Sequence, residues 1–137
     1  MEESLKRLLK NSYSPYSGFR VAAICLMKDG KSFGGVNIEN ASYGATICAE
    51  RVAFAKAISE GERDFEYIVV CGGNKLGSLD NCLPCGYCRQ FMSEFVDKDF
   101  KIYALSKGDK IAEYSIFDLL PNSFRLSTTS WLFYTFV

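Results

Sequence analysis

The sequence predicts an α/β fold, a three-layer α-β-α sandwich in which helices cover both faces of a mixed five-stranded sheet. The apolar residues change repeatedly between helical and strand-like spacing along the 137 residues, in the order α-β-β-α-β-α-β-β. The wholly apolar run at residues 67–71 is typical of a central strand covered on both faces. The length suits a single domain over residues 1–137, large enough to form a core without disulfide bonds.

The first half of the chain is predicted to form a helix, a hairpin and a second helix. These four elements lie at residues 2–12, 19–27, 32–38 and 48–60. The first helix is amphipathic because its leucines fall on one stripe. Asp29-Gly30 is a strong hairpin signal between the two strands, and Gly61 is typical of a helix C-terminus. A polar loop of small residues precedes the second helix.

The second half is predicted to complete the sheet. After the central strand and a loop at residues 72–84, the elements are a helix, two strands and a helical turn at residues 85–96, 101–105, 110–114 and 116–120. The connection between the last two strands is short, which favours an antiparallel hairpin. Residues 125–137 form a tail whose last seven residues are unusually apolar. An oligomer contact and packing over the domain's own core explain this tail equally well.

The charge balance disfavours several classes of partner. The chain carries 16 basic and 16 acidic residues, so it has no positive excess with which to neutralise a nucleic-acid backbone. The N-terminal residues lack an apolar signal core, and no apolar run approaches the length of a membrane span. We therefore expect a soluble cytoplasmic protein with no nucleic-acid or membrane partner.

The six cysteines of an intracellular chain are expected to be reduced and used for metal binding or catalysis. Cys25 and Cys71 lie in apolar strands, where they are interpreted as small buried hydrophobic residues. Histidine is absent from the chain. Any transition-metal site must therefore be built from thiolates, and a carboxylate is the first choice for a general acid or base.

Three further cysteines are predicted to bind zinc. Cys48, Cys85 and Cys88 fall at predicted helix N-termini, where free N–H groups and the helix dipole favour the thiolate. Three protein ligands leave the fourth tetrahedral position to water, as in catalytic zinc sites. Arg51 and Arg89 follow these ligands directly and could compensate their negative charge. Cys82 adds a nearby thiol, read either as a free loop cysteine or as a fourth ligand that would close the site.

Glu50 is the candidate proton carrier. Its position places it on the apolar side of the second helix, next to whatever Cys48 binds. A carboxylate is costly on an apolar face unless it has a function there. A partly desolvated glutamate beside a metal-activated water is a common arrangement for general acid–base catalysis.

Other interpretations of these residues remain open at this point. The four cysteines could form a closed four-thiolate zinc site or hold an iron–sulfur cluster, and Cys85 with Cys88 could form a redox dithiol. Asn37 and Glu39 could be ordinary turn or capping residues, and Phe19 an ordinary core residue.

Cys48-Ala-Glu50 followed by Pro84-Cys-Gly-Tyr-Cys88 resembles the zinc deaminase signature in its all-cysteine form. Further blocks in the same order resemble the small homotetrameric cytidine deaminases. They are Ser14-Pro-Tyr-Ser-x-Phe19, Gly35-Val-Asn-Ile-Glu-Asn40, the segment around Cys48, Pro84 to Gln90, and Phe117-x-Leu-Leu-Pro121 with Phe124. The resemblance covers residues 14–124, and five ordered blocks are far more specific than a single C-x-x-C.

The resemblance implies hydrolytic deamination of cytidine and deoxycytidine to uridine and deoxyuridine in pyrimidine salvage, with one zinc ion per chain. It implies that Cys48, Cys85 and Cys88 are zinc ligands, that Glu50 is the proton shuttle and that Arg51 donates to the thiolates. It also implies that Asn37 and Glu39 bind a ribose hydroxyl, that the Phe19 ring packs on the base and that the Ala49 backbone reads the pyrimidine edge. By the same resemblance, Ala41, Tyr43 and Phe124 contribute to a neighbouring subunit's pocket. The alternatives are an aminohydrolase of the same fold acting on a cytosine-containing nucleoside antibiotic, and a non-catalytic binding module stapled by a four-cysteine metal site.

Overall fold

The computed structural model describes residues 1–75 and 78–126. Its helices are α1 (Glu2–Leu9), α2 (Ala49–Ser59), α3 (Gly86–Ser93) and α4 (Ile116–Leu119). Its strands are β1 (Arg20–Met27), β2 (Ser32–Val36), β3 (Phe65–Lys75), β4 (Ser78–Asp80), β5 (Lys101–Ser106) and β6 (Lys110–Ser115). The predicted elements all occur in the predicted order, with β4 as an additional strand between β3 and α3, although most of them begin or end a few residues away from the predicted bounds.

The strands form one mixed sheet in the order β2-β1-β3-β5-β6, with β4 paired to β3. β3 and β5 run parallel, whereas β1 is antiparallel to both β2 and β3. The predicted hairpin between β5 and β6 is present and antiparallel. α1 packs on one face of the sheet, and α2 and α3 pack on the other. The predicted α-β-α layering is therefore confirmed.

The strand count was predicted wrongly, because the sheet has six strands and the sequence indicated five. The region interpreted as a loop at residues 72–84 contains the end of β3 and all of β4. Gly73 explains the difference: a side chain there would clash with the backbone of Ser78, so glycine allows the two strands to approach closely. The same glycine reads as a turn residue in the sequence.

The two faces of the sheet are packed by alternating residues of the central strands. Ile68 and Val70 of β3 face α2 and α3, whereas Val69 and Cys71 face α1. Cys71 is buried in this core, and Cys25 is buried on the opposite face, as predicted for these two residues. Within the described residues, no helix has the length and apolar character needed to cross a membrane. The predicted apolar tail lies outside the described residues from Ser127 onwards.

Gly35 determines how closely α2 approaches the sheet. A Cβ atom at this position of β2 would lie 2.6 Å from the backbone nitrogen of Ala53 and 2.9 Å from the Cβ of Val52. It would also clash with the carbonyl oxygen of Ala49. The first turns of α2 therefore rest directly on the backbone of β2, and the position of Cys48 and Glu50 depends on this contact.

We expect Gly35→Ala to destabilise the protein by about 1–3 kcal/mol, because the added methyl group must push α2 away from the sheet. Urea unfolding followed by circular dichroism measures the change. Gly44→Ala is the matched control, since a Cβ atom there meets nothing within 4 Å. A Gly35→Ala variant as stable as the control would show that α2 does not rest on β2 in this way.

Candidate metal centre

Two helix N-termini meet at a cluster of three cysteines. Cys48 is the N-cap residue of α2, and Cys85 is the N-cap residue of α3. Neither side chain caps its own helix. Cys88 lies in the first turn of α3. The free N–H groups and dipoles of both helices therefore favour negative charge on these sulfur atoms.

The spacing of the three sulfur atoms fits one zinc ion. Cys48 Sγ lies 3.8 Å from Cys85 Sγ, which lies 3.6 Å from Cys88 Sγ. All three atoms lie within 4.8 Å of one another. Tetrahedral zinc with Zn–S bonds of about 2.3 Å separates its sulfur ligands by about 3.8 Å. Cys88 is buried and Cys85 is exposed, so the cluster is open on one side.

Cys82 is not part of this cluster. Its thiol is buried against Gly72, where a Cβ atom would come within 2.9 Å of the sulfur. Burial raises the pKa of the Cys82 thiol to about 12, so it stays protonated at neutral pH. The geometry therefore matches the interpretation of Cys82 as a free cysteine better than that of a fourth ligand.

The thiols of Cys48 and Cys88 have pKa values shifted in opposite directions. The hydrogen bond from Cys88, together with the Arg51 guanidinium, lowers the pKa of the Cys48 thiol to about 5. The same interaction with Cys48 raises the pKa of the Cys88 thiol well above its usual range. Within this pair, negative charge is thus favoured on Cys48. Because a metal binds thiolates and not thiols, metal binding at this cluster is coupled to proton release.

Arg51 places a guanidinium beside one of the thiols. Its Nη2 atom lies 3.7 Å from Cys48 Sγ and donates to the carbonyl oxygen of Thr46 at 3.4 Å. The Tyr87 ring lies over the guanidinium, with its centroid 5.0 Å from Cζ. Arg89 was expected to share this task, but it donates to the carbonyl oxygens of Pro84 and Leu119 instead. Arg89 therefore joins α4 to the segment that carries the ligands.

Glu50 lies beside the cluster in the first turn of α2. Its side chain is only 2% exposed, and Oε2 lies 3.7 Å from Cys88 Sγ. Burial raises the pKa of the Glu50 carboxyl group to about 7. A carboxyl group with this pKa can both accept and release a proton near neutral pH.

A pocket of about 580 Å³ opens onto the cluster. It is lined by Cys48, Glu50, Cys82 and Cys85 together with Tyr16, Ser17, Phe19, Val21, Asn37, Glu39, Tyr43, Thr46 and Leu83. Among the described residues, no lysine or arginine belongs to this lining, and two carboxylates do. The pocket thus brings together two of the three candidate metal ligands, the candidate proton carrier and three candidate substrate ligands from distant parts of the sequence.

Asn37 and Glu39 are already partly satisfied by neighbouring residues. Asn37 donates from Nδ2 to Phe19 O at 2.8 Å, and its Oδ1 accepts from Val21 N at 2.9 Å and from Ser12 Oγ. Glu39 accepts from the backbone of Tyr16 and from both donors of Ser17. One N–H of the Asn37 amide and about one lone pair of the Glu39 carboxylate remain for a ligand. These two groups suit a ligand hydroxyl, which can accept a hydrogen bond from the Asn37 N–H and donate one to the Glu39 carboxylate.

The other predicted site residues lie in varied places. Tyr43 lines this chain's own pocket, where its ring meets Tyr16 edge to face. Ala41 is exposed outside the lining, and Ala49 is buried at the start of α2. The Phe124 side chain is 69% exposed and away from the pocket, and its carbonyl oxygen accepts from Gln90 Nε2 at 3.0 Å.

Sequence reasoning missed several pocket residues. Tyr16 and Ser17 lie in a block that the resemblance had marked, but no role was given to them. Thr46 and Leu83 carry no signal in the sequence, since neither belongs to a chemical motif. Their place in the lining follows only from the fold.

Comparison with known proteins gives a consistent result. The model of the cytidine and deoxycytidylate deaminase zinc-binding region matches residues 1–104. A cytidine deaminase of Halalkalibacterium halodurans is 47% identical over 115 residues, which is 84% of each chain. A cytidine deaminase of Mycoplasma genitalium is 36% identical and covers 91% of this chain and 93% of its own length. The crystal structure of a cytidine deaminase from Burkholderia pseudomallei is similar with a TM-score of 0.80 and 38% identity, over 89% of this chain and 94% of that one.

We expect one zinc ion per chain, released by acidification or prolonged chelation because its thiolate ligands compete with protons. Alanine substitution of Cys48, Cys85 or Cys88 should remove the metal, as measured by elemental analysis of the purified protein. Cys82→Ala is the matched control and should retain it. Full zinc content in Cys85→Ala, or zinc loss in Cys82→Ala, would contradict the ligand assignment.

Proposed function

Because this chain belongs to the cytidine and deoxycytidylate deaminase family, we propose that it hydrolyses the 4-amino group of cytidine and deoxycytidine, giving uridine or deoxyuridine and ammonia. The observation that carries the proposal is the cluster of three sulfur atoms with Glu50 Oε2 3.7 Å from Cys88 Sγ, at a pocket that Glu50, Cys48 and Cys85 line. Pyrimidine salvage in the cytoplasm is the proposed setting of the reaction.

Cys48, Cys85 and Cys88 would hold the zinc ion of this family. When bound, zinc acts as a Lewis acid that makes water a nucleophile at neutral pH. Three thiolates reduce this effect because they overcompensate the charge of the metal. Arg51 opposes the excess negative charge by donating to Cys48, so it is proposed to keep the site reactive as well as to orient the ligand.

Glu50 is proposed to carry protons during the reaction. Its carboxylate takes a proton from the attacking water and delivers one to the ring nitrogen N3 as oxygen bonds to C4. The carboxylate then takes the proton of the new C4 hydroxyl and passes it to the amino nitrogen, so that the C4–N bond breaks and ammonia leaves while the hydroxyl oxygen becomes the carbonyl. Its burial suits this task, because a desolvated carboxyl group exchanges protons readily near neutral pH.

The remaining pocket residues are proposed to bind the nucleoside. The Phe19 ring packs on the base, and the free N–H of Asn37 and the free lone pair of Glu39 hold a sugar hydroxyl. We assign this hydroxyl to the 3′ position, which cytidine and deoxycytidine share. Free cytosine leaves the polar pair unsatisfied and should be a poor substrate.

The charge of the pocket favours an uncharged substrate. Glu39 and Glu50 both line it, and in the part of the chain that the structure describes no cationic side chain belongs to the lining. A nucleotide phosphate near these carboxylates would be repelled, and the zero net charge of the chain offers no attraction to a polynucleotide. The non-catalytic four-cysteine alternative is not favoured, because Cys82 lies outside the cluster. No contact in the pocket favours a nucleoside antibiotic over cytidine.

Incubating the zinc-loaded protein with cytidine tests the proposal, since loss of the amino group changes the ultraviolet spectrum. Glu50→Gln should retain zinc and bind cytidine but lower kcat by about 10²–10⁴-fold, because glutamine preserves the shape of the side chain and cannot carry the proton. Glu60→Gln is the control, since Glu60 is exposed at the far end of α2. Near-normal turnover by Glu50→Gln would show that Glu50 has only a structural role.

We further propose a homotetramer in which Phe124 enters a neighbouring subunit's pocket. Its exposed ring lies away from the pocket of its own chain. Tyr87 of α3 also has an exposed aromatic side chain, and the Phe124 carbonyl oxygen is bonded to Gln90 of the same helix. Ala41 and Tyr43 were assigned to the same interface. We place Tyr43 at the boundary between the neighbouring subunit's pocket and the pocket of its own chain, because it also lines the latter.

Sedimentation at decreasing concentration should show four chains per particle, and dilution that separates them should abolish activity without unfolding the chain. Phe124→Ala should raise KM for cytidine while leaving zinc content unchanged. Phe117→Ala, which removes another exposed phenylalanine, should leave KM unaffected. Full activity of an isolated monomer would rule out a shared pocket.

A further inference from the structure

The Glu39 carboxylate is oriented by two consecutive residues of one loop. Its oxygens accept from the backbone nitrogen of Tyr16 at 3.2 Å and from that of Ser17 at 3.1 and 3.2 Å. The Ser17 hydroxyl gives the shortest contact, 2.5 Å to Oε1. Within residues 1–75 and 78–126, the salt bridges of the structure do not include Glu39, so neutral donors alone hold its charge.

The Ser17 hydroxyl is itself oriented by a second hydrogen bond. It accepts from the backbone nitrogen of Phe19 at 3.0 Å, a local serine-to-backbone contact. A hydroxyl group has a single proton, and the contact with Phe19 uses a lone pair of the oxygen, so the proton stays available for Glu39. The proton is therefore directed at Glu39. The hydrogen bond from Ser17 is also the main reason that the pKa of the Glu39 carboxyl group lies below its usual value, although burial opposes it.

These contacts join the backbone of Phe19, the Ser17 hydroxyl and the Glu39 carboxylate in one directed series. All three residues line the pocket. Hydrogen bonds in such a series polarise one another and restrict the orientation of the last acceptor. The orientation matters because about one lone pair of Glu39 is left for a ligand.

We propose that Ser17 is a positioning residue for nucleoside binding, which holds Glu39 so that its remaining lone pair faces the sugar hydroxyl. This inference rests on the proposed function, because it takes Glu39 as the acceptor of that hydroxyl. Ser17 acts through Glu39 and does not itself take part in the chemistry.

A purely structural role for the hydroxyl would have a different signature. The loop is tied down by other bonds, among them Tyr13 N to Asn37 O at 3.1 Å, Glu39 N to Tyr13 O at 2.8 Å and Gly18 N to Ser14 O at 3.0 Å. Both backbone donors to the carboxylate also remain when the hydroxyl is removed. Removing the Ser17 hydroxyl should therefore leave the fold intact and change chiefly the orientation of the Glu39 carboxylate.

The test measures cytidine binding in zinc-loaded protein that carries Glu50→Gln, so that turnover does not interfere. Adding Ser17→Ala should weaken binding by about tenfold, as expected for one hydrogen bond to a charged group. In protein with Glu50 intact, the same change should raise KM by a similar factor with kcat largely retained. Zinc content and the urea midpoint should be unchanged.

A double-mutant cycle with Glu39→Ala shows whether Ser17 acts through Glu39. On the Glu39→Ala background, Ser17→Ala should change cytidine binding by less than about twofold. Ser17→Thr keeps the hydroxyl and should restore most of the affinity lost in Ser17→Ala. Ser14→Ala is the matched control, because the Ser14 hydroxyl belongs to the same loop and contacts Ser12 Oγ at 3.4 Å, not Glu39.

Three results would overturn the inference: unchanged cytidine binding in Ser17→Ala, an equal loss on both backgrounds, or unchanged binding in Glu39→Ala. None of these results would contradict the deaminase activity proposed for the unmodified protein. Conversely, if the unmodified protein binds cytidine without deaminating it, the proposed function fails while the binding cycle still decides the role of Ser17.

Discussion

The site depends on the convergence of two helix N-termini on one face of the sheet. Cys48 begins α2 and Cys85 begins α3, so the sulfur cluster exists only if both helices are held at the correct distance. Two features hold the helices at this distance. They are the close packing of α2 on Gly35 and the hydrogen bonds from Arg89 to the carbonyl oxygens of Pro84 and Leu119. An error of 1 Å at either helix would be a large fraction of a sulfur–sulfur distance of 3.6–3.8 Å. Packing remote from the cysteines is thus part of the metal site.

The same arrangement explains how Glu50 can be buried. The side chain lies in the first turn of α2, where the positive end of the helix dipole favours a carboxylate. Burial nevertheless dominates, since the pKa rises to about 7. A nearby metal cation would oppose this rise and favour the charged form. The pKa of Glu50 is therefore subject to two opposing influences, which suits the proton-carrying role proposed for it.

Much of the fold followed from apolar periodicity, and the metal ligands followed from cysteine spacing together with the absence of histidine. These signals are local in the sequence, and local signals are the ones that sequence reasoning reads well. The sixth strand was missed because the sequence does not distinguish a glycine in a turn from one, such as Gly73, that allows two strands to approach closely. The partners of Arg89 were not predicted, because they are the backbone carbonyl oxygens of Pro84 and Leu119, whose positions follow from tertiary structure. The contacts of Thr46 and Leu83 with the pocket have no local signal at all.

Asn37 and Glu39 show why the structural and functional readings of a polar residue need not compete. Each was weighed either as a turn or cap residue or as a substrate ligand, and the structure shows each making several bonds to its own chain. These bonds reduce the number of donors and acceptors available to a ligand. They also fix the direction of those that remain, so less rotamer freedom is lost when a nucleoside binds. A carboxylate with four free lone pairs would accept many partners, whereas one held by three donors selects a single hydroxyl in a single place. The structural bonds of Glu39 are in this sense the source of the specificity proposed for it.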